Sequence, residues 1–547
     1  MVKIVQISLM TKATVFLQVF KKNSVLLLFV VCLFFLNFYT KTLFYRPGSI
    51  HQWRQADCLS ITKNYYEEGM HFFAPRIHYQ GPVNGKAVSE FPILNYTVAA
   101  LWKVFGEHEF IYRLLEYLIF ITAVFVLFNT LLRFYRSELL AFFAASFFLT
   151  SPLLAYYSLS FIADVPALSI GIICFCFFFR FYNTKELRFF YMALIFGTLA
   201  VLMKASALMG ISILLFFSLA DIFKLTGFFG TEPLFRKKTI PFLCILIVIA
   251  GVFAWYKFAL LYNDNNSNNI FLLTVLPIWE MDEQQLIYNL KVLFNNLFPV
   301  FLNRPMFFLF MALVILVSAK FKALTSFLKY AFVFSAVFFV FYLLFFFQVF
   351  GVHDYYLNNL MIFPVITFLC FVHILSKTGF VANNKAFVRL FIICTVVFNS
   401  LHAAAIYRLR TVEDDKLIYW FPFISEDEGK LAKYLAWYYS HDIKKVEELT
   451  PALRAHGIKR EDLVLSIPDQ SFDISLYFMD QKGYAISRDH FMNDTTVADR
   501  FLKKNVKYMV ISDTTLKRQI AYKRIADHFE TFFTTKDGVE IFRLKTN

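Results

Sequence analysis

Charge is scarce in this chain. Of 547 residues only 17% are Asp, Glu, Lys or Arg, against roughly 25% in soluble domains, so one ordinary soluble domain is excluded. Cysteine is nearly as sparse. The seven are Cys32, Cys58, Cys174, Cys176, Cys244, Cys370 and Cys394, and all but Cys58 fall inside apolar runs. That placement argues against a disulfide framework and against a zinc site built from paired Cys. The chain also shows no internal repeat, no Gly-rich phosphate loop and no small-residue cleavage site after its first apolar run, which therefore reads as an uncleaved first helix.

What is abundant is apolar side chain. Hydrophobic residues make up 59% of the chain, 73 of them Phe, in blocks long enough to cross roughly 30 Å of hydrocarbon. Window reading gives about eleven candidate spans, near 24–43, 112–132, 138–158, 165–182, 189–203, 205–223, 240–262, 304–319, 329–350, 357–375 and 387–405. The stretch 92–105 is too short to span and reads as interfacial. The fold expected is a mainly α polytopic membrane protein followed by a small soluble α/β domain, with the boundary near 405/406. In that domain 426–440 and 496–504 read as helices, and 463–467, 475–479, 508–512 and 539–544 as strands.

The formal +15 charge is a topology signal. Lys12, Lys21 and Lys22 precede the first span. Later clusters (Arg133 with Arg136; Arg180, Lys185 and Arg188; Lys224 with 236–238; Lys320, Lys322 and Lys329; Lys377, Lys385 and Arg389) occupy every second loop. By the positive-inside rule these loops and the N-terminus are cytoplasmic, and the C-terminal domain faces outward. Nothing in the pattern calls for nucleic acid. The outer segments include 44–111, longer than connection needs and therefore expected to be functional, and 263–303, which opens on Asn263, Asp264, Asn265 and Asn266 and is placed to cover an outer site.

Four polar clusters share that outer face: Arg54 with Asp57; Ser89-Glu90-Phe91-Pro92; Phe161-Ile-Ala-Asp164-Val-Pro166; and His353-Asp354-Tyr355-Tyr356 with Lys204 at a tight turn. Ionisable groups at membrane depth are costly and mark function by default. Asp57 is the best candidate for a general base, since a partly desolvated acid has a raised pKa; pairing with Arg54 or capping a helix is the alternative. Glu90 suits either an acceptor or Arg113. Asp164 is placed to line a pocket or to cap a helix with Pro166 in its first turn. Lys204 and His353 suit an anion, Lys204 being equally able to snorkel to headgroups and His353 to bond at the interface beside Tyr355.

Taken together, Trp53-Arg54-Gln55-Ala56-Asp57, Glu90-Phe91-Pro92, Ala163 to Ala167, Lys204 and His353 to Tyr356 resemble the bacterial GT-C glycosyltransferases, and within them the protein-mannosyltransferase and aminoarabinose-transferase-like group (glycosyltransferase family 39-like), over about residues 20–405. The resemblance implies a polyprenyl-phosphate-linked sugar as donor and catalysis at the outer face of the bacterial inner membrane. It implies Asp57 as catalytic base or acceptor-positioning residue, and Arg54, Glu90, Asp164, Lys204, His353 and Tyr355 as substrate contacts. The acceptor is a protein, lipid or polysaccharide. Aminoarabinose transferases carry a Lys after the Glu where this chain has Phe91, so the phosphate contact is expected from Arg54, Lys204 or His353. Such enzymes are often metal-independent, although the ligand types of Asp57, Glu90 and Asp164 also admit a divalent ion. Because a lipid phosphate is a good leaving group, one carboxylate base with cationic stabilisers suffices, and attack opposite the phosphate inverts the anomeric centre. Two other readings fit the composition: a secondary transporter or lipid flippase coupling through Asp164 and Lys204, which lacks the expected inverted repeat, and a non-catalytic scaffold, which leaves the long first loop unexplained.

Overall fold

The computed structural model describes residues 23–81, 84–266, 270–271, 274–411, 424, 429–430, 433–434 and 443–545. The basic residues Lys12, Lys21 and Lys22 and most of the helix expected at 426–440 lie outside these.

Among the described residues seven helices are long and apolar enough to cross a bilayer, and a bent pair raises the number to eight. They correspond to the spans expected near 112, 165, 205, 240, 329, 357 and 387. The other four expected spans are shorter or broken, for local reasons. The first is described as Asn23–Leu36 and is followed by Phe38 at φ 66°. The run 138–158 forms Glu138–Leu149, then stops and restarts as Pro152–Tyr157 with Ser151 accepting from the Leu154 N–H; Pro152 has no N–H to continue the first helix but suits the first turn of the next. Leu187–Met203 spans 17 residues. The run expected at 304–319 is one arm of a pair, Glu283–Phe301 with Arg304–Ala319, bent by 92°. Asn303 caps the second arm by accepting from the Met306 N–H at 3.0 Å, with Pro305 behind it.

Burial sorts the spans. Within the protein 89% of the Asp164–Thr184 window is buried and only 17% of the Thr239–Asn265 window, so the former is the axis of the bundle and the latter its lipid-facing rim. Thr239–Asn265 also absorbs the polar run 263–265 expected to open a loop. The long outer segment folds into two helices, Gln52–Glu68 and Ile93–Phe105, ended by Gly69 and Gly106. Both glycines adopt positive φ, where a Cβ is strained. Gln52–Glu68 is buried along most of its length, so its polar residues face protein on nearly every side.

The C-terminal domain is a five-stranded mixed sheet in the order β2-β1-β3-β5-β4, with β1 Val464–Ile467, β2 Gly483–Ala485, β3 Tyr508–Ile511, β4 Phe529–Thr534 and β5 Glu540–Leu544. The pairs β1–β2 and β1–β3 are parallel, β3–β5 and β4–β5 antiparallel. The segment 475–479, expected as a strand, is instead the helix Ile474–Phe478. The Asp469 carboxylate accepts from the backbone N–H groups of Ser471 and Ser475, which turns the chain into a helix, and a uniformly buried run carries no periodicity to warn of it. The helical reading of 496–504 shrinks to Asp499–Leu502. Strands β2 and β4 were not expected.

This domain is clamped to the outer loop. Tyr79 pairs in parallel with Gly483 on the free edge of β2. The Gln80 N–H donates to the Gly483 carbonyl at 2.8 Å and the Gly483 N–H to the His78 carbonyl at 3.2 Å, so the loop covers the exposed sheet edge. An ion network reinforces the join: Glu68 meets Arg460 at 3.0 Å and Lys482 at 2.5 Å, and Asp480 meets Arg460 at 3.1 Å. Gly483 is pressed between two backbones, and a Cβ there would lie 2.8 Å from the Val464 nitrogen. Gly483→Ala is therefore expected to cost about 1–3 kcal/mol and to loosen the domain from the loop. Thermal unfolding in detergent and the rate of proteolysis near residue 80 check this, and unchanged values for both would contradict the clamp.

Candidate active site

The Gln52–Glu68 helix places Arg54 and Asp57 one turn apart. Asp57 is fully buried, its Oδ2 is 3.9 Å from Arg54 Nη1, and neither of its oxygens accepts a hydrogen bond among the described residues. Arg54 turns its other amino group to Ser89 Oγ at 2.9 Å and to the Glu90 carboxylate, with the Phe271 ring 5.0 Å from the guanidinium; among the described residues Nη1 has no hydrogen-bond partner. Glu90 Oε1 then accepts from Lys204 Nζ at 2.9 Å, and Lys204 lies 3.2 Å from Asp164 Oδ2. The rings of Tyr355 and Tyr356 lie 5.4 and 5.6 Å from the same ammonium. Six residues singled out in the sequence thus form one buried chain of charge, Asp57–Arg54–Glu90–Lys204–Asp164 with Tyr355 alongside.

His353 sits at its margin, its ring 5.7 Å from Trp53, 5.3 Å from His51 and 5.5 Å from Tyr355. Burial, aided by His51, pulls its pKa down to about 4. At neutral pH it therefore offers a hydrogen bond and no charge, which corrects the expectation of a cationic donor. Asp354 beside it is a structural junction: Tyr157 donates to it, and His51 and Arg410 reach it at 3.1 and 2.9 Å. Arg113 does not meet Glu90; it donates to the carbonyls of Leu159 and Arg46 and stacks on Phe161. Phe91 faces away from the charges, packing at 4.8 Å on Trp255 and 5.0 Å on Phe72.

Electrostatics separates the two loop acids. Burial pushes the Asp57 carboxyl up to about 8; Arg54 pulls against this, while Asp469 and Glu90 add to it. Glu90 is partly buried, and Arg54 and Lys204 outweigh its desolvation and hold it well below the usual carboxylate range. One acid is a fixed anion and the other a proton acceptor poised near neutrality. Asp57, Glu90 and Asp164 do not converge as a ligand set, because Arg54 and Lys204 stand between them, and among the described residues no group of three or more His, Cys, Asp or Glu is arranged to hold a metal ion. Sequence reasoning missed Asp469 and Asp473. Their signal was the polar run Asp469-Gln-Ser-Phe-Asp473 leaving the carboxyl end of β1, a usual place for functional groups in sheets with parallel strands.

Residues 89–256, which hold Glu90, Asp164 and Lys204, match the family model described as dolichyl-phosphate-mannose-protein mannosyltransferase. No curated protein sequence matches the chain. Among solved structures, the ArnT of Cupriavidus metallidurans in the apo state is similar at TM-score 0.55 and 12% identity, covering 95% of this chain and 98% of that one. The same protein bound to undecaprenyl phosphate gives 0.56 and 14% with the same coverage. The Archaeoglobus fulgidus oligosaccharyltransferase gives 0.54 and 14%, over 96% of this chain and 74% of that one. At these identities the structural likeness establishes the fold, GT-C, and the family match adds the class: a multi-pass membrane glycosyltransferase.

Lys204 neutralises two acids at once. Lys204→Met leaves Glu90 and Asp164 buried without it and is expected to cost about 3–5 kcal/mol, read as a fall in thermal midpoint, with part of the loss regained in the double variant Lys204→Met, Glu90→Gln.

Proposed function

We propose that this GT-C glycosyltransferase moves a sugar from a polyprenyl-phosphate carrier to an acceptor hydroxyl or amine at the outer face of the bacterial inner membrane, with inversion at the anomeric carbon and Asp57 as general base. The observation that carries this reading is a fully buried carboxyl, Asp57, that accepts no hydrogen bond among the described residues and meets Arg54 Nη1 only at 3.9 Å. Buried polar groups are otherwise satisfied, so the two are groups awaiting a partner. Support for the donor class comes from the shared fold with a protein crystallised on undecaprenyl phosphate. Support for the face comes from the basic clusters in alternate loops, which put the N-terminus in the cytoplasm and the site and C-terminal domain outside.

The chemistry follows from the charges. The acceptor attacks the anomeric carbon opposite the phosphate, the bond from that carbon to the phosphate oxygen breaks, and its electron pair leaves with the lipid phosphate. The acceptor proton passes to Asp57. Negative charge grows on the phosphate as the bond breaks, and Arg54 Nη1, with Lys204 behind it, is the nearest stabiliser. Glu90 and Asp164 hold these two cations in place. Tyr355, and His353 as a neutral hydrogen-bonding group, flank these charges. The acceptor is a protein, a lipid or a growing polysaccharide. The transporter reading finds no support in the Asp164–Lys204 pair, which is closed into the same ion chain by Glu90.

Purified protein incubated with labelled polyprenyl-phosphate sugars and candidate acceptors tests this. Asp57→Asn is expected to lower transfer by about 10²–10⁴-fold; equal transfer by both proteins would sink the base assignment. Because the base is the ionised carboxyl and its pKa is about 8, the rate should climb roughly tenfold per pH unit below that value and level above it. A rate that falls as pH rises from 6 to 8 would contradict the assigned proton direction.

A further inference from the structure

Two ionisable groups deep in the protein take no part in the charge chain. Arg113 and Glu116 lie one turn apart at the outer end of the helix Phe110–Tyr135; Glu116 is fully buried and Arg113 nearly so. Charged residues at membrane depth are rare and mark function by default. Both are spent on the backbone of one turn, residues 159–161. Glu116 Oε2 accepts from the Phe161 N–H at 2.9 Å and from the Ser160 N–H at 3.2 Å. Arg113 donates one amino group to the Leu159 carbonyl and the other to the Arg46 carbonyl at 3.3 Å, and its guanidinium lies 4.1 Å from the Phe161 ring.

The turn needs such a clamp. Phe161 sits at φ 64°, a left-handed conformation that bulky residues rarely adopt and that persists only where the surroundings hold it. Two successive N–H groups pointing one way form a concavity for an oxygen acceptor, and Glu116 fills it. The Phe161 ring is fully buried, in one cluster with Ala56 and Cys58 of the outer-loop helix, Ala167 of the axial span, and Ala200 and Met203 just before Lys204. Three residues beyond Phe161, Asp164 opens the axial span, and no side chain caps that helix. Asp164 meets Lys204 at 3.2 Å, and among the described residues neither of its oxygens is aimed by a hydrogen bond. The placement of the backbone at the turn therefore decides whether that pair forms.

We propose that Glu116 and Arg113 are positioning residues of the active site: by locking turn 159–161 they set Asp164 at its distance from Lys204, and through Lys204 they set the hold of Glu90 on Arg54. Arg113 also ties this turn to the Arg46 carbonyl at the entry of the outer loop, so the turn and the loop that carries Arg54 and Asp57 are fastened together. A misplacement of about 1 Å, even from a change far from the chemistry, costs on the order of 10²-fold in rate. The effect on rate rests on the transferase reading, but the setting of Lys204 can be measured without any transfer.

The first arm of the test is chemical labelling. Modification of Lys204 by a small amine-reactive reagent is followed by mass spectrometry on the purified full-length protein, with Lys63, about as enclosed as Lys204, as internal control. In Glu116→Ala the Lys204 rate should rise several-fold while that of Lys63 stays constant. Asp164→Asn should match it, with no further rise in the double variant. Transfer should follow the same pattern. Glu116→Ala is expected to lower kcat about 10²-fold in the wild-type background but less than about threefold in Asp164→Asn. Glu116→Gln keeps an oxygen acceptor for the two N–H groups and should stay within about threefold of wild type. Should Glu116→Ala not fold, Arg113→Lys, whose point charge cannot span both carbonyls, gives a smaller loss that likewise vanishes in Asp164→Asn. An unchanged Lys204 rate, a Lys63 rate that rises with it, or an equal fold-loss of transfer in both backgrounds would each overturn the proposal. Wild-type protein that transfers nothing while Lys204 responds as expected would refute the donor reading and leave the positioning intact.

Discussion

Two cations, Arg54 and Lys204, are set against three acids, of which Asp57 and Asp164 are fully buried and Glu90 is partly buried. Arg54 pairs with Glu90, Lys204 lies 2.9 Å from Glu90 and 3.2 Å from Asp164, and Asp57, fully buried, is left 3.9 Å from an arginine already engaged elsewhere. Burying an ionised carboxylate without a partner costs several kcal/mol. Burial under that constraint pushes the Asp57 carboxyl up to about 8, and on the proposed reading this imbalance of charge is what makes it a base near neutrality. Adding a cation beside Asp57 would stabilise the fold and remove the acid–base group.

The imbalance can persist only because five distant segments are fixed around it. Arg54 and Asp57 come from the outer-loop helix, Glu90 from the turn before the next, Asp164 from the start of the axial span, Lys204 from the hairpin after Leu187–Met203, and Tyr355 from the mouth of a late span. Each sits where a helix begins or ends, which lets polar groups reach the site without interrupting hydrocarbon-spanning backbone. Asp354 ties the arrangement together, joining His51 of the first loop to Arg410 at the end of the last span. The C-terminal sheet closes the remaining side by borrowing Tyr79 as an extra strand partner. Its docking combines a buried apolar cluster, in which Ile474 and Leu476 meet Ala56, Cys58 and Leu59, with charge pairing by Glu68, Asp480, Arg460 and Lys482, and the charged part gives it a dependence on ionic strength.

Much of this was legible in the order of residues. Hydropathy located the seven long spans, and alternate basic loops brought Arg54, Asp57, Glu90, Asp164, Lys204, His353 and Tyr355 to one face before any coordinate was known. What was not legible depended on contacts between distant segments or on runs without periodicity. The continuous apolar stretch 138–158 hid a break that only Pro152 hinted at. The 92° bend at Asn303 is a cap against a run equally apolar on both sides. The segment 474–478 is buried all round, so neither a two-residue nor a 3.6-residue period shows, and its first turn is held by the Asp469 carboxylate, which accepts from the Ser475 N–H. Asp469 and Asp473 read as an ordinary polar turn until the domain is docked, and the neutrality of His353 comes from burial and a second histidine 302 positions away in the chain.

Phe91 brings these threads to the question of the donor. In this chain the residue after Glu90 has its backbone N–H bonded to the Leu202 carbonyl at 3.1 Å, and its side chain is enclosed by Phe72 and Trp255 against the rim helix Thr239–Asn265. A lysine placed there with the same backbone would project toward aromatic rings and lipid, away from Arg54 and Lys204. The aromatic residue therefore leaves no gap in the charge chain; it braces the rim helix against the turn that carries Glu90. Consequently, on the proposed reading, the lipid phosphate is met by the free Nη1 of Arg54 and not by a flexible ammonium. Arginine's planar fork fixes the direction of approach, and that direction is set by the same Glu90 that Phe91 holds in place. The aromatic packing at the membrane rim and the aim of the phosphate contact are thus one constraint seen from two sides of a single peptide bond.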